Sequence, residues 1–141
     1  MRFMVLVKAS EDSEAGVMPS TEMLAEMGRF NEELVKAGAM LDGDGLKPSR
    51  FGARILYDSA GAPTVTDGPF AETKELVAGY WIIDVKDRDE AIAWMRRAPF
   101  RNASIEIRPY LAVEDFGEAL TPELLAAENE LRAQAAAKAP R

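Results

Sequence analysis

The chain has 141 residues, with 17 lysines and arginines against 24 aspartates and glutamates, and it contains neither cysteine nor histidine. A net charge of −7 with no basic cluster beyond Arg96-Arg97 excludes a phosphate-backbone binder, because nucleic-acid affinity draws on clustered Lys and Arg. Without Cys or His there is no disulfide framework, thiol nucleophile, imidazole base or typical zinc site, so any acid or base must be Asp, Glu, Lys or Tyr.

In chain order, the apolar run Phe3-Met4-Val5-Leu6-Val7 predicts a buried strand over residues 2–8. The run is too short for a signal segment or a membrane span, and a cytoplasmic protein that does not meet the membrane is expected. Ser20 is a good N-cap, and Met23, Met27, Phe30 and Leu34 recur at helical spacing until Gly38 ends the helix. Extended structure resumes at Ala39-Met40-Leu41, with a bulge expected at Gly43 or Gly45. Residues 53–57 and 63–66 flank a glycine-containing loop and read as a hairpin. Leu76 to Val85 is the strongest strand, apolar on both faces. Asp87 and Glu90 open a second amphipathic helix that Pro99 stops. Ser104 to Leu111 alternates as a last strand, and Thr121-Pro122-Glu123 caps a final helix.

This order implies an α+β, ferredoxin-like βαββαβ fold with an added hairpin, spanning residues 1–115, followed by a helix and tail over 116–141. Two helices cover one sheet face, and the apolar second face of the 76–85 strand also needs cover. An isologous homodimer packed sheet to sheet, in the manner of a dimeric α/β-barrel, supplies that cover.

Charge concentrates between the hairpin and the central strand, in VTDGPFAETKE. Asp67-Gly68-Pro69 is a turn signal, and Glu72, Lys74 and Glu75 read either as a solvated strand end or as the lip of a site. Arg108 alternates onto the face opposite Ile105 and Ile107, where a guanidinium either pairs across an interface or holds an anion. The glycines and aspartates of 42–45 fit neither an EF-hand loop nor a dinucleotide fingerprint, and no P-loop is present, so no metal and no cofactor is expected. The candidate catalytic residues are Asp67, Lys74 and Asp42, with Glu72, Glu75, Arg108 and Tyr80 as substrate-binding residues. A small-molecule ligand, an anion among the candidates, is the expected occupant.

The nonamer DGPFAETKE at Asp67 to Glu75 resembles the signature of the YCII-related, or DGPF-domain, family of small bacterial proteins. Supporting matches are FMVLVKAS, KAGAML with GLKPS, AGYWIIDV with DEAIAWM, and IEIRPY, covering residues 1–112. The resemblance implies a ferredoxin-like fold that dimerises through its sheets. It also implies two competing roles. Shorter relatives carry a His-Asp pair suggested as catalytic, but here the helix that would hold the histidine has Met23, Glu26 and Met27. Many members resemble accessory proteins encoded beside extracytoplasmic-function sigma factors, which implies a regulatory or interaction module instead.

Overall fold

The computed structural model of the chain describes residues 1–138. Strand β1, Arg2–Lys8, alternates so that Phe3 and Val5 point to one side and are fully buried. Their side chains stabilise the fold by about 1.5–3 kcal/mol each through burial. A short helix α1, Glu11–Glu14, follows in the turn-rich segment, closed by a reciprocal pair of bonds between Ser10 and Ser13. Helix α2, Thr21–Lys36, starts where the Ser20 hydroxyl accepts from the Met23 N–H. Phe30 and Leu34 form its buried stripe, while Met27 packs at the edge of the core.

Strand β2, Met40–Gly45, carries its irregularity between Met40 and Asp42, ahead of Gly43 and Gly45 where a bulge was expected; the glycines themselves pair in regular register with β5. Strands β3, Ala53–Tyr57, and β4, Pro63–Asp67, form a hairpin that pairs only with itself. Strand β5, Val77–Asp84, leads to helix α3, Arg88–Met95, whose N-cap Asp87 accepts from the Glu90 N–H. The Glu90 carboxylate accepts from the Lys86 N–H, one residue earlier than a capping box places it. Strand β6, Ile105–Pro109, ends the sheet.

The strand order is β2-β5-β1-β6 with every pairing antiparallel, which is the ferredoxin-like arrangement with the hairpin inserted between its second and third strands. The fold is α+β, and the single chain closes no barrel. Helices α2 and α3 cover one face. Phe3, Val5, Trp81 and Ile83 from the sheet meet Phe30 and Leu34 of α2 and Ala91 and Met95 of α3. Trp81 is the pivot: Phe30 and Phe100 approach it edge-on at 5.8 and 5.9 Å, and its indole N–H donates to Asn31 Oδ1 at 2.8 Å. Gly43, directly across from Trp81, has to be glycine-sized, since a Cβ there would lie 2.9 Å from the indole Cδ1 and 3.2 Å from the Tyr80 carbonyl.

Within the body, the other face of the sheet lies opposite α2 and α3. Met4, Leu6, Ala78, Tyr80 and Ile82 stand there half-buried, which is the doubly apolar character expected of the central strand.

The chain divides into a body, Met1–Tyr110, and a second unit beginning at Leu111. That second unit contains a 3-10 segment, Val113–Ala119, and helix α4, Pro122–Lys138, started by Thr121 accepting from the Leu124 N–H. No residue of α4 is buried, and a Glu128–Arg132 pair one turn apart supports it locally.

Candidate functional site

Sheet geometry brings part of the expected site together. Asp42 lies across from Ile82, Asp44 from Tyr80, Met4 from Arg108 and Leu6 from Glu106, so all of these share the free face. On it the Tyr80 hydroxyl donates to Asp42 Oδ2 at 3.3 Å. Each aspartate also accepts from the N–H of the glycine that follows it, at 2.8 Å for Asp42 and 3.1 Å for Asp44. Those bonds orient the carboxylates within the edge strand. On the opposite side of the apolar stripe, Glu106 lies 3.7 Å from Lys8 Nζ and 3.8 Å from Arg108 Nε. Lys8 is largely shielded, whereas Arg108 is open to solvent. The face therefore runs from two acids through an apolar centre to two bases around one acid.

The signature occupies one end of this sheet. Asp67 closes β4 opposite Ala53, on the hairpin rather than on the free face, so it belongs to a different sheet from Asp42. Glu72 adopts a left-handed conformation with φ 60° and starts a 3-10 turn, Thr73–Glu75, so β5 does not extend back to Lys74. Glu72, Lys74 and Glu75 are exposed there, just before the Leu76 carbonyl accepts from the Ala9 N–H where β1 ends. Thus the structure places Asp42, Tyr80 and Arg108 on the sheet, and Glu72, Lys74 and Glu75 on the turn at its rim. Among the described residues no three carboxylates converge as a metal cage.

A contact that periodicity could not reveal anchors the signature. Glu14 accepts from the Ser49 N–H at 2.9 Å and from its hydroxyl at 2.5 Å, and the same hydroxyl accepts from the Phe70 N–H at 3.0 Å. Arg50 donates to the Glu14 carbonyl at 3.2 Å, and the Arg54 guanidinium lies 4.0 Å above the Phe70 ring. The Gly68-Pro69 peptide is cis, and the Gly68 N–H donates to the Gly52 carbonyl at 3.0 Å. Three segments distant in sequence therefore meet around Ser49. The signal in the sequence was one acid and one serine in turn-rich stretches, too little to pair them.

The hydroxyl and N–H of Ser49, with Arg50 nearby, hold the Glu14 carboxyl below its ordinary value. A depressed carboxyl contributes stability that is present above the ordinary glutamate value of 4.5 and lost as pH falls through the folded value. Accordingly, the Phe70 amide is expected to lose hydrogen-exchange protection in acid, after correction for intrinsic rates, and to lack it at neutral pH in Glu14→Ala. Protection that is independent of both pH and Glu14 would show that the node does not anchor the signature.

A model of the YCII-related domain family matches residues 1–114 of this chain, and the protein belongs to that family. A curated relative, an uncharacterized protein of Rhizobium meliloti (strain 1021), is 35% identical over 99 residues, which cover 68% of this chain and 78% of the relative. No helix among the described residues is long and apolar enough to cross a membrane.

Proposed function

We propose that this YCII-related protein is a cytoplasmic homodimer that binds a small, anionic metabolite over the free face of its sheet, beside the signature turn. The observation that carries the reading is the Tyr80–Asp42 hydrogen bond, a polar pair set against the apolar stripe of Met4, Leu6 and Ile82 on the sheet face opposite α2 and α3. Ligand sites combine such an apolar floor with a few placed polar groups. Arg108 and Lys8 supply the positive side, where a ligand carboxylate or phosphate would replace the long contacts to Glu106. If the site is catalytic, Asp42 is placed to act as the base, with Tyr80 as its hydrogen-bond partner, while Lys74 at the rim or Arg108 stabilises negative charge. Asp67, Glu72 and Glu75 then shape the mouth.

A second reading, a non-catalytic regulatory module of the kind encoded beside extracytoplasmic-function sigma factors, is favoured by the exposed apolar side chains of the β3–β4 hairpin. Isothermal titration calorimetry with a panel of small carboxylates and phosphates separates the two. The site reading expects saturable binding, weakened about two- to tenfold in Tyr80→Phe by loss of one hydrogen bond, with thermal stability unchanged. No response to any small anion in the wild type, beside retained binding of a protein partner, would replace it with the regulatory reading.

A further inference from the structure

The backbone of the β3–β4 hairpin leaves groups unpaired on both of its edges. The Gly68 N–H donates to the Gly52 carbonyl at 3.0 Å and the Asp58 N–H to the Ala62 carbonyl at 3.1 Å, so Gly52–Gly68 and Asp58–Ala62 are bonded pairs. Bonded and non-bonded pairs alternate along an antiparallel ladder, which makes Arg54–Thr66 and Leu56–Thr64 the bonded pairs between them. The backbone groups of Ala53, Ile55 and Tyr57 on β3, and of Pro63, Val65 and Asp67 on β4, therefore point away from the hairpin. Among the described residues no further strand pairs with either edge.

The two edges are not alike. On β4, Pro63 has no N–H to offer and Asp67 sets a charge at the far end, two devices that keep a foreign strand off. Strand β3 has neither. Ala53-Arg54-Ile55-Leu56-Tyr57 holds no proline and no acid, and its one base is engaged elsewhere, with the Arg54 guanidinium 4.0 Å above the Phe70 ring. Ile55, Leu56 and Tyr57 are 50, 62 and 69% exposed. Two strands of five residues are marginal in water by themselves, so a further strand on this edge stabilises the hairpin.

The strand that fits it is its own copy. Turned antiparallel about Ile55, β3 sets Ile55 against the partner's Ile55, Tyr57 against the partner's Ala53, and Arg54 against the partner's Leu56. Large meets small, and no charge meets its like. Ile55 also lies across from Val65 within the hairpin, so pairing makes one apolar row that crosses four strands. We infer that the β3 strands of two copies pair in this way and join two hairpins into a single four-stranded sheet. The contact is separate from the dimer proposed through the main sheet and uses none of its residues. A five-residue edge presents about 170 Å² in projection, far under the roughly 800 Å² per partner of a stable association, so the contact forms at high protein concentration.

The test uses the full chain. In sedimentation velocity the mass of the species present at micromolar concentration is expected to double as the concentration approaches millimolar. Ile55→Pro removes an outward N–H and no bond of the hairpin, and is expected to abolish the doubling while leaving the smaller species as it was. Val65→Pro does the same to the other edge and is expected to change neither. Exchange protection of the Gly68 amide, bonded to Gly52, shows in each variant that the hairpin still forms. Doubling that survives Ile55→Pro, or that Val65→Pro alone removes, overturns the β3 contact. A wild type that never doubles also overturns it, and leaves the edge to a strand of another protein. Should Ile55→Pro unfold the hairpin, the lack of native cysteine permits a second measurement. Bonded antiparallel residues stand about 5.5 Å apart at Cα, within disulfide reach, so Ile55→Cys chains are expected to link in pairs on mild oxidation at near-millimolar concentration. Leu56→Cys chains, offset from one another by the same register, are expected to stay unlinked; equal linking of the two variants overturns the pairing.

Discussion

Replacing Gly68 by alanine is expected to dislodge the signature and destabilise the protein by about 3 kcal/mol, the upper end of overpacking costs. A Cβ at this position would lie 1.8 Å from the Ser49 carbonyl oxygen and 2.6 Å from its carbon, and both belong to backbone that cannot rotate away. The 3-10 turn Ser49–Phe51 would have to withdraw, breaking the bonds from Ser49 to Glu14 and from Phe70 to Ser49. Urea unfolding should show the loss as a lowered midpoint, and hydrogen exchange should show Phe70 deprotected beyond the global change. A Gly68→Ala protein as stable as the wild type would mean that the signature does not pack against Ser49.

The second large effect is expected at Phe30. Its ring is buried and meets Trp81 edge-on, so Phe30→Ala removes the main apolar contact between α2 and Trp81 and leaves the Asn31 hydrogen bond. Phenylalanine-to-alanine changes in cores cost about 3–5 kcal/mol, a large share of the 5–15 kcal/mol that typically holds a domain together. Tryptophan fluorescence, from Trp81 and Trp94 together, should shift with the lost packing and the unfolding midpoint should fall. A cost under about 1 kcal/mol would indicate that α2 is held elsewhere, for example through Leu34 alone.

Elements with strong periodicity were legible before the structure. Strand β1 appears over the residues expected, α2 begins at Ser20, and the hairpin joins the two runs read as its strands. Apolar alternation and capping carry these signals because they depend on near neighbours in sequence. The apolar character of both faces of β5 was also legible, and Ala78, Tyr80 and Ile82 do share the face opposite Trp81 and Ile83. Boundaries set by tertiary contact were less legible. Helix α3 ends at Met95, ahead of Pro99, and the segment between Glu72 and Glu75, read as a strand end or the lip of a site, curls into a 3-10 turn. Helix α1 was hidden in a run of polar turn formers, since four residues carry no period.

The site divides the same way. Facing of Arg108 away from the helices followed from alternation in β6, and its neighbour Glu106 does share that face. The pairing of Tyr80 with Asp42 required the sheet order and the irregularity after Met40, neither of which one strand can announce. Glu14 and Ser49, which fix the signature, lie 35 residues apart and are joined only by side-chain hydrogen bonds.

The first strand occupies the middle of the sheet, between partners that lie at residues 77–84 and 105–109. During synthesis Phe3 and Val5 therefore leave the ribosome roughly a hundred residues before their last neighbour, a wait of about 5–20 s at typical elongation rates. Over that interval the nascent chain carries an apolar strand whose sheet neighbours have yet to be made.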